Sequence, residues 1–290
     1  MGRSQLRDTM RLLYFGDDGK VSLTKDLLGN DTIPPYAILS HTWGDEEVTF
    51  EDLTHGAGLG KKGFEKIQFC MQQAAADGLH YSWVDTCCIN KNDFTELQHA
   101  INSFFPWYRD ADICYVFLSD VSATKRKADS EAFQCVWERA FRDSRWFTRG
   151  WTLQELLAPR KLKFFSCEGK ALGHVQELQY LIHSITKLPI AALTGDSLEE
   201  FGIEERLGWT QNRTTTRDED KAYSLLGIFG VHMPLIYGEG QKKAFRRLRK
   251  EIQDHKYLSL GTLPMMFKII SLLIPVLASM DFSEQDFGMF

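Results

Sequence analysis

The sequence lacks several patterns that would point directly to a function. It contains no G-x-x-x-x-G-K-[ST] loop, which excludes a P-loop nucleotide site within these 290 residues. None of the six cysteines forms a C-x-x-C pair, and the adjacent Cys87 and Cys88 have a spacing that suits zinc poorly. The sequence therefore predicts reduced, mostly buried thiols, a cytoplasmic location and no metal site.

Positive charge is also scarce. The 34 lysines and arginines are outnumbered by 39 acidic residues, which gives a formal net charge of −5. Proteins that bind nucleic acid usually present a positive field to the phosphates, so we expect no nucleic-acid partner. The basic residues that cluster at 242–250 are interpreted as the solvated face of a helix.

A clean membrane-spanning run is missing as well. Residues 263–280 are apolar but are interrupted by Lys268 and by two prolines, whereas a span needs about 20 consecutive apolar residues. The segment before Phe15 is too polar and charged for a signal peptide. We assign 256–290 to an apolar tail that packs on a partner or domain, with membrane contact of 263–280 as the less favoured alternative.

The sequence does contain an alternation of strand-like and helix-like patterns. Short apolar runs that predict strands lie at 36–40, 81–89, 113–121 and 161–167. Helical spacing lies between them at 64–78, at 96–111, where Pro106 is expected to disturb the helix, and around 151–158. This rhythm predicts an α/β core over 36–170, with a parallel sheet flanked by helices. Residues 171–255 lose the rhythm and predict a helical extension with helices at 173–188 and within 213–252.

Polar residues follow three of the predicted strands. Ser40 to Glu46 come after the first, Asp85 to Cys88 end the second, and Ser119 and Asp120 follow the third. Ligands bind beyond the carboxyl ends of strands in open parallel sheets, so we expect these clusters to share a ligand-binding edge. Gly44 would let the backbone approach a ligand closely, and Trp43 would stack on a flat ring.

Each of these residues also has a structural interpretation. Asp85 suits a loop cap as well as a binding site, and His41 suits a hydrogen-bonded structural histidine better than a catalytic one. Cys88 and His41 would make a thiol–imidazole pair for a hydrolase, although a cysteine in a strand is usually a small hydrophobic residue.

A single carboxylate, Glu155, lies among aromatic residues in RWFTRGWTLQELLAP (145–159). Thr152 and Glu155 fit the T-x-x-E capping box, in which the two residues would close the start of a helix. Alternatively, Trp151, four residues earlier, would share a helix face with Glu155. The residues by themselves leave both interpretations open.

Several stretches resemble the fungal HET domain of heterokaryon (vegetative) incompatibility proteins. They are YAILSHTWGDEEVTFEDL, WVDTCCINK, RWFTRGWTLQELLAP and RTTTRDEDKAYSLLGIFGVHMPLIYGEG, and the resemblance extends over residues 10–255. It implies an effector of programmed cell death when unlike hyphae fuse. It also implies a receptor partner with a NACHT module and a repeat sensor.

HET domains in turn resemble TIR domains, which have a flavodoxin-like fold. The resemblance places Ser40 and Gly44 at the end of the first strand and Asp85 at the end of the second. It matches Glu155 to the glutamate of the NAD-cleaving members. The chain departs from the TIR pattern at Asn90–Asp93, which puts the substrate mouth in doubt.

The resemblance implies hydrolysis of NAD, as a substrate rather than a cofactor, once the protein has self-associated. Glu155 would be catalytic, and Ser40, Trp43, Gly44, Asp85 and Trp151 would bind the substrate. One carboxylate suffices to stabilise the oxocarbenium-like transition state of such a cleavage, and no metal is needed. The alternative function is a non-enzymatic death or signalling module that acts by homotypic assembly, with Glu155 serving only as a cap.

Overall fold

The computed structural model describes residues 10–27, 31–123 and 133–260, without the side chains of residues 133–136 and 257–260. Within these ranges seven strands form one sheet in the order β2-β1-β4-β3-β5-β6-β7. The strands are β1 (Leu13–Phe15), β2 (Val21–Leu23), β3 (Tyr36–His41), β4 (Tyr81–Trp83), β5 (Ile113–Phe117), β6 (Leu162–Phe165) and β7 (Ala171–His174).

The four central strands are parallel and confirm the predicted fold class. Strands β4, β3, β5 and β6 lie side by side, and their chain order is 2-1-3-4, the flavodoxin-like arrangement. Strands β1, β2 and β7 add antiparallel edges, and the sequence analysis predicted none of them as strands. Because β7 lies in the predicted helical extension, that extension contributes a strand to the sheet.

Helices cover both faces of the sheet. The α-helices are α1 (Phe50–Thr54), α2 (Gly63–Ala76), α3 (Asp85–Cys88), α4 (Phe94–Asp110), α5 (Phe133–Arg142), α6 (Thr152–Leu157), α7 (Val175–Thr186), α8 (Ile190–Leu193), α9 (Ile203–Gly208), α10 (Asp220–Tyr223) and α11 (Gln241–Leu260). Turns of 3-10 helix lie at Gly58–Gly60, Arg145–Thr148, Leu198–Glu200 and Gly227–Phe229.

The core forms on both sides of the parallel strands. On one face, Phe69 of α2 packs its ring against Phe117 and Phe165, with centroids 5.0 Å apart in each pair. On the other face, Trp146 packs edge-on against Phe164 at 5.6 Å. Burial on both faces explains why β5 reads as a continuous apolar run without a polar alternation.

The second predicted strand is wrong beyond its first three residues. Strand β4 ends at Trp83, and Asp85 begins the short helix α3, in which the amide of Cys88 donates to the carbonyl of Val84 at 2.9 Å. A short apolar run cannot distinguish a buried strand from a buried helical turn by periodicity, so the sequence did not reveal this change. Cys87 and Cys88 are consequently helical.

Other boundaries differ in smaller ways. Helix α4 continues through Pro106 to Asp110, so the expected disturbance does not end it. The first helix predicted within 213–252 is only the four-residue α10, and α11 is the second.

The chain divides into one compact unit that ends at Leu248 and a second that begins at Arg249, within α11. Among the described residues, no helix is both long and apolar enough to cross a membrane. Residues 263–280, for which we predicted a packing helix, lie outside the described residues.

Candidate active site

A cavity of about 420 Å³ lies at the carboxyl edge of the parallel strands. The segment that ends β3 contributes His41, Thr42 and Trp43, and the turn after β4 contributes Asp85 and Lys91. Apolar side chains from Ile89 and α4 form one wall, and Trp151, Thr152 and Glu155 enter from α6 and its N-terminus. The edge rule for parallel sheets therefore located the cavity correctly.

Glu155 is held from beneath by a hydrogen-bonded chain. The indole Nε1 of Trp146 donates to Ser40 Oγ at 2.8 Å, and Ser40 donates its hydroxyl proton to Glu155 Oε2 at 2.5 Å. Ser40 and Trp146 are fully buried, and Glu155 is 6% exposed. Since the indole can only donate, the single hydroxyl proton of Ser40 is directed to the carboxylate. Oε2 is thus occupied, and Oε1 is left for a ligand.

The capping-box interpretation of Glu155 is wrong. Helix α6 has Trp151 at its N-cap position, in a helical backbone conformation and without a side-chain cap bond. The Thr152 hydroxyl instead donates to the carbonyl of Trp146 at 2.6 Å, and Thr152 accepts from Arg213 Nη1 at 2.8 Å. The helix begins one residue earlier than the motif predicts, so the side chains of Thr152 and Glu155 are free for other contacts.

The surroundings of Glu155 favour its neutral form. The pKa of Glu155 is raised to about 8, chiefly by burial and also by the charge of Asp85, whereas the hydrogen bond from Ser40 lowers it. The charges of Arg213 and Arg149 also lower it. Burial also lowers the pKa of Arg213 to about 10, so this guanidinium remains charged at neutral pH. The carboxyl of Glu155 therefore titrates close to physiological pH.

This raised pKa predicts a stability that falls as the pH rises. The folded protein retains the proton on Glu155 up to about pH 8, whereas the unfolded chain loses it near pH 4.5. Between these values the free energy of unfolding declines by up to about 1.4 kcal/mol per pH unit, and above pH 8 the decline stops. We expect the difference between wild type and Glu155→Gln in urea unfolding to change by about 3 kcal/mol from pH 5 to pH 8. A difference that does not vary with pH would contradict the raised pKa.

Asp85 is the centre of a second polar cluster in the cavity. Its Oδ2 accepts from Trp43 Nε1 at 3.0 Å and lies 3.4 Å from Lys91 Nζ, which also sits 3.6 Å from the centre of the Trp43 ring. Burial raises the pKa of Asp85, but the charge of Lys91 and the contact with His41 outweigh it, so the pKa is lowered. Asp85 is therefore ionised, and Lys91 covers one face of Trp43.

The comparisons with known proteins agree on a family. The family described as "Heterokaryon incompatibility protein (HET)" matches residues 36–136, which include β3, β4, β5 and the Asp85 cluster. The "Vegetative incompatibility protein HET-E-1" of Podospora anserina is 54% identical over 245 residues, or 84% of this chain.

The chain is a fungal HET-domain protein. It spans 18% of the length of its Podospora relative. The names of both matches refer to heterokaryon or vegetative incompatibility. No solved structure matches the chain.

Four of the six residues named from the sequence line the cavity of this HET domain, and a fifth lies beneath it. Glu155, Trp43, Asp85 and Trp151 line the cavity, and Ser40 lies beneath it in contact with Glu155. Gly44 instead lines a neighbouring cavity of about 420 Å³, where its amide donates to Glu47 Oε1 at 2.6 Å. Gly44 thus shapes the turn after β3 but does not line the Glu155 cavity.

The thiol–imidazole pair does not form in this HET domain. Cys88 is buried in α3, where its Sγ accepts from the amide of Val84 at 3.4 Å, and it does not line the cavity. His41 Nε2 lies 3.3 Å from Asp85 Oδ1, without the geometry of a hydrogen bond. This contact helps to lower the pKa of Asp85, so the Asp85 carboxylate is the polar partner of the buried His41.

The sequence analysis missed one whole wall of the cavity. Residues 213–217 run beside 148–150, where the Gly150 amide donates to Thr214 O at 2.9 Å and the Thr214 amide donates to Thr148 O at 2.7 Å. Gly150 is required here, because a Cβ would lie 2.4 Å from Thr215 Cγ2. This pairing carries cavity-lining side chains from the predicted extension, namely Thr216, Arg217, Asp220 and Tyr237. In the sequence, Thr216, Arg217 and Asp220 belong to the motif RTTTRDED and Tyr237 belongs to PLIYGEG, and neither stretch indicates a chemistry by itself.

Proposed function

We propose that this HET domain is an effector of heterokaryon incompatibility that hydrolyses NAD at the nicotinamide–ribose bond. The observation that carries the proposal is the placement of Glu155. One carboxylate lies at the base of a cavity with aromatic walls, its Oε2 held by Ser40 and its Oε1 left for the substrate. The sequence motifs that resemble the NAD-cleaving TIR domains also point to Glu155 as the catalytic residue.

The reaction needs little from the protein beyond this carboxylate. The bond between C1′ of the ribose and the pyridinium nitrogen breaks, and both electrons stay with nicotinamide, which leaves neutral. The ribose retains an oxocarbenium-like positive charge that a carboxylate stabilises or traps. Water then bonds to C1′ and loses one proton, so NAD and water give nicotinamide, ADP-ribose and a proton.

The walls of the cavity suit a substrate with two flat rings. Trp151 lines the cavity and packs on Phe104, with their centroids 5.5 Å apart. Trp43 is 50% exposed, so one face of its ring remains for a base while Lys91 covers the other. Apolar side chains from α4 exclude water from the region around Glu155 and strengthen its interaction with a cation.

In this proposal the binding of NAD depends on pH through the protonation state of Glu155. A pyridinium ring near Glu155 favours the carboxylate, because an opposite charge within a few ångströms lowers a carboxyl pKa. In the free protein the pKa is about 8, so a substrate molecule at neutral pH meets mostly the neutral acid. We expect kcat/KM for NAD to rise about tenfold per pH unit below pH 8 and to level off above it.

In the fungal cell, the domain would act in the cytoplasm and would cleave NAD after self-association or through a NACHT and repeat receptor partner. Loss of NAD would then cause the cell death of incompatibility. This context follows the family resemblance, and the cavity chemistry is compatible with it.

Incubation of the purified chain with NAD tests the proposal. Nicotinamide and ADP-ribose should form in equal amounts, measured by chromatography, with the pH dependence given above. Because self-association is part of the proposal, protein concentration is varied and a crowding agent is included. An assembled wild-type protein that releases no nicotinamide at pH 8 would reject hydrolysis and favour the non-enzymatic assembly module.

A further inference from the structure

We infer that Arg149 and Arg217 form a clamp for the diphosphate of the ligand at the rim of the Glu155 cavity. This inference rests on the proposed function for the identity of its ligand, but it concerns binding rather than bond cleavage. It assigns the RTTTRDED segment, which the sequence analysis left without a role, to recognition of a nucleoside diphosphate group.

The first element of the clamp is Arg149, which is half-buried in the cavity wall. Its Nη2 donates to Thr216 Oγ1 at 3.2 Å across the pairing of residues 148–150 with 213–217. Arg149 lines the same cavity as Glu155, and its charge lowers the pKa of that carboxyl. The side chain is thus oriented by the neighbouring segment while the rest of its donors remain available.

The second element is Arg217, which is exposed at the opening. Its guanidinium lies over the ring of Tyr237, with the central carbon 4.0 Å from the ring centroid. The Tyr237 hydroxyl in turn donates to Asp220 Oδ1 at 2.9 Å. Stacking on a ring orients a planar guanidinium without using its donors, so Arg217 can present its fork of N–H groups to an anion.

Neither guanidinium group forms an ion pair with a carboxylate among the described residues, although the charge of Arg217 acts on Glu219 and Asp220. Among the described residues, neither lies within the 4 Å of an acidic oxygen that defines an ion pair. Five other arginines, spread along the described chain, do form ion pairs with carboxylates, namely Arg11, Arg109, Arg142, Arg145 and Arg247. Two unpaired guanidinium groups that line the same cavity are a natural site for a dianion, because bidentate contacts match the geometry of phosphate oxygens.

A third arginine, Arg213, adds positive charge near Arg149. Arg213 is buried beneath the same segment, where its Nη1 donates to Arg149 O and to Thr152 Oγ1 at 2.8 Å each. Its Nη2 is buried without a hydrogen-bond partner among the described residues. An unpaired buried cation is costly, and an anion bound nearby would offset part of that cost.

The clamp is tested by the binding of ADP and adenosine to the full chain, measured by calorimetry. Neither ligand contains the nicotinamide–ribose bond, so the wild-type protein serves as the reference without turnover. ADP should bind at least about tenfold more tightly than adenosine. Arg149→Gln and Arg217→Gln should each weaken ADP by about tenfold and leave adenosine unchanged, since each removes a charge-assisted hydrogen bond.

Two further variants provide the controls. Arg246→Gln removes the same charge from an exposed position on α11 and should leave ADP binding unchanged. Arg217→Lys keeps the charge without the fork and should be intermediate. Equal losses in Arg246→Gln and Arg217→Gln, or no loss in either clamp variant, would overturn the inference.

The outcome is separable from that of the proposed function. If the two clamp variants weaken ADP binding but no nicotinamide is released, the clamp is retained and the hydrolase is rejected. If nicotinamide is released but ADP binds equally well to wild type, Arg149→Gln and Arg217→Gln, the hydrolase is retained and the clamp is rejected. Because Arg217 is exposed, Arg217→Gln should fold normally, which a melting curve checks.

Discussion

Glu155→Gln is expected to lower the rate of nicotinamide release by about a thousandfold. The amide has nearly the size of the carboxyl and still accepts the hydrogen bond from Ser40, so the base of the cavity should keep its shape. It carries no negative charge, however, and cannot stabilise or trap a cation at C1′. Removal of one preorganised electrostatic partner typically costs two to three orders of magnitude in kcat, about 3 to 4 kcal/mol.

The matched control for this prediction is Glu177→Gln. Glu177 forms a true capping box at the start of α7, where its Oε2 accepts from the amide of His174 at 2.7 Å. The chemical change is the same, it lies outside the cavity, and a glutamine still caps, so activity should be unchanged. Equal activity of wild type and Glu155→Gln would show that the carboxylate takes no part in the reaction.

Gly227→Ala is expected to destabilise the fold by about 3 kcal/mol or more and to lower the melting temperature by roughly 10 °C. A Cβ at residue 227 would lie 2.0 Å from Phe105 Cβ and 2.6 Å from Gln154 Oε1. Phe105 Cβ is attached directly to the backbone of α4 and cannot retreat without moving that helix, and the Gln154 amide on α6 is fully buried and must also shift. Gln154 precedes Glu155, and the displacement should therefore reduce activity as well.

Gly208→Ala provides the comparison within the same extension. No atom lies within 4 Å of a Cβ built at residue 208, and the residue ends helix α9. Alanine there should be neutral or stabilise by up to about 1 kcal/mol. Thermal unfolding of the two variants side by side measures the contrast, and similar melting temperatures would contradict the close packing of Gly227 on α4 and α6.

The sequence by itself determined the four parallel strands at the centre of the sheet and the edge at which polar residues gather. Apolar runs such as ICYVF can be predicted as strands because a strand buried on both faces tolerates few polar residues. Ser40 and Asp85 were recognisable because a polar residue at the end of such a run has only the strand edge available. The resemblance of the motifs to the HET domain identified the family and named Glu155, which spacing alone could not separate from a helix cap.

Tertiary structure decided what those residues touch. The Trp146–Ser40–Glu155 chain joins residues that are 106 and 115 positions apart, and no local pattern encodes such contacts. The same holds for Arg149 and Arg217, which meet at the cavity only because residues 213–217 pair with 148–150.

Glu155 illustrates which properties follow from the sequence and which follow from the tertiary structure. Local propensity favoured a capping box at Thr152, but burial of Thr152 against Arg213 and the backbone of Trp146 moved the start of the helix. Its raised pKa likewise depends on burial and on charges from other elements, which exist only once the chain has folded. The sequence therefore determined which acid stands at the edge of the sheet, and packing over long separations decided its hydrogen bonds, its pKa and its neighbours.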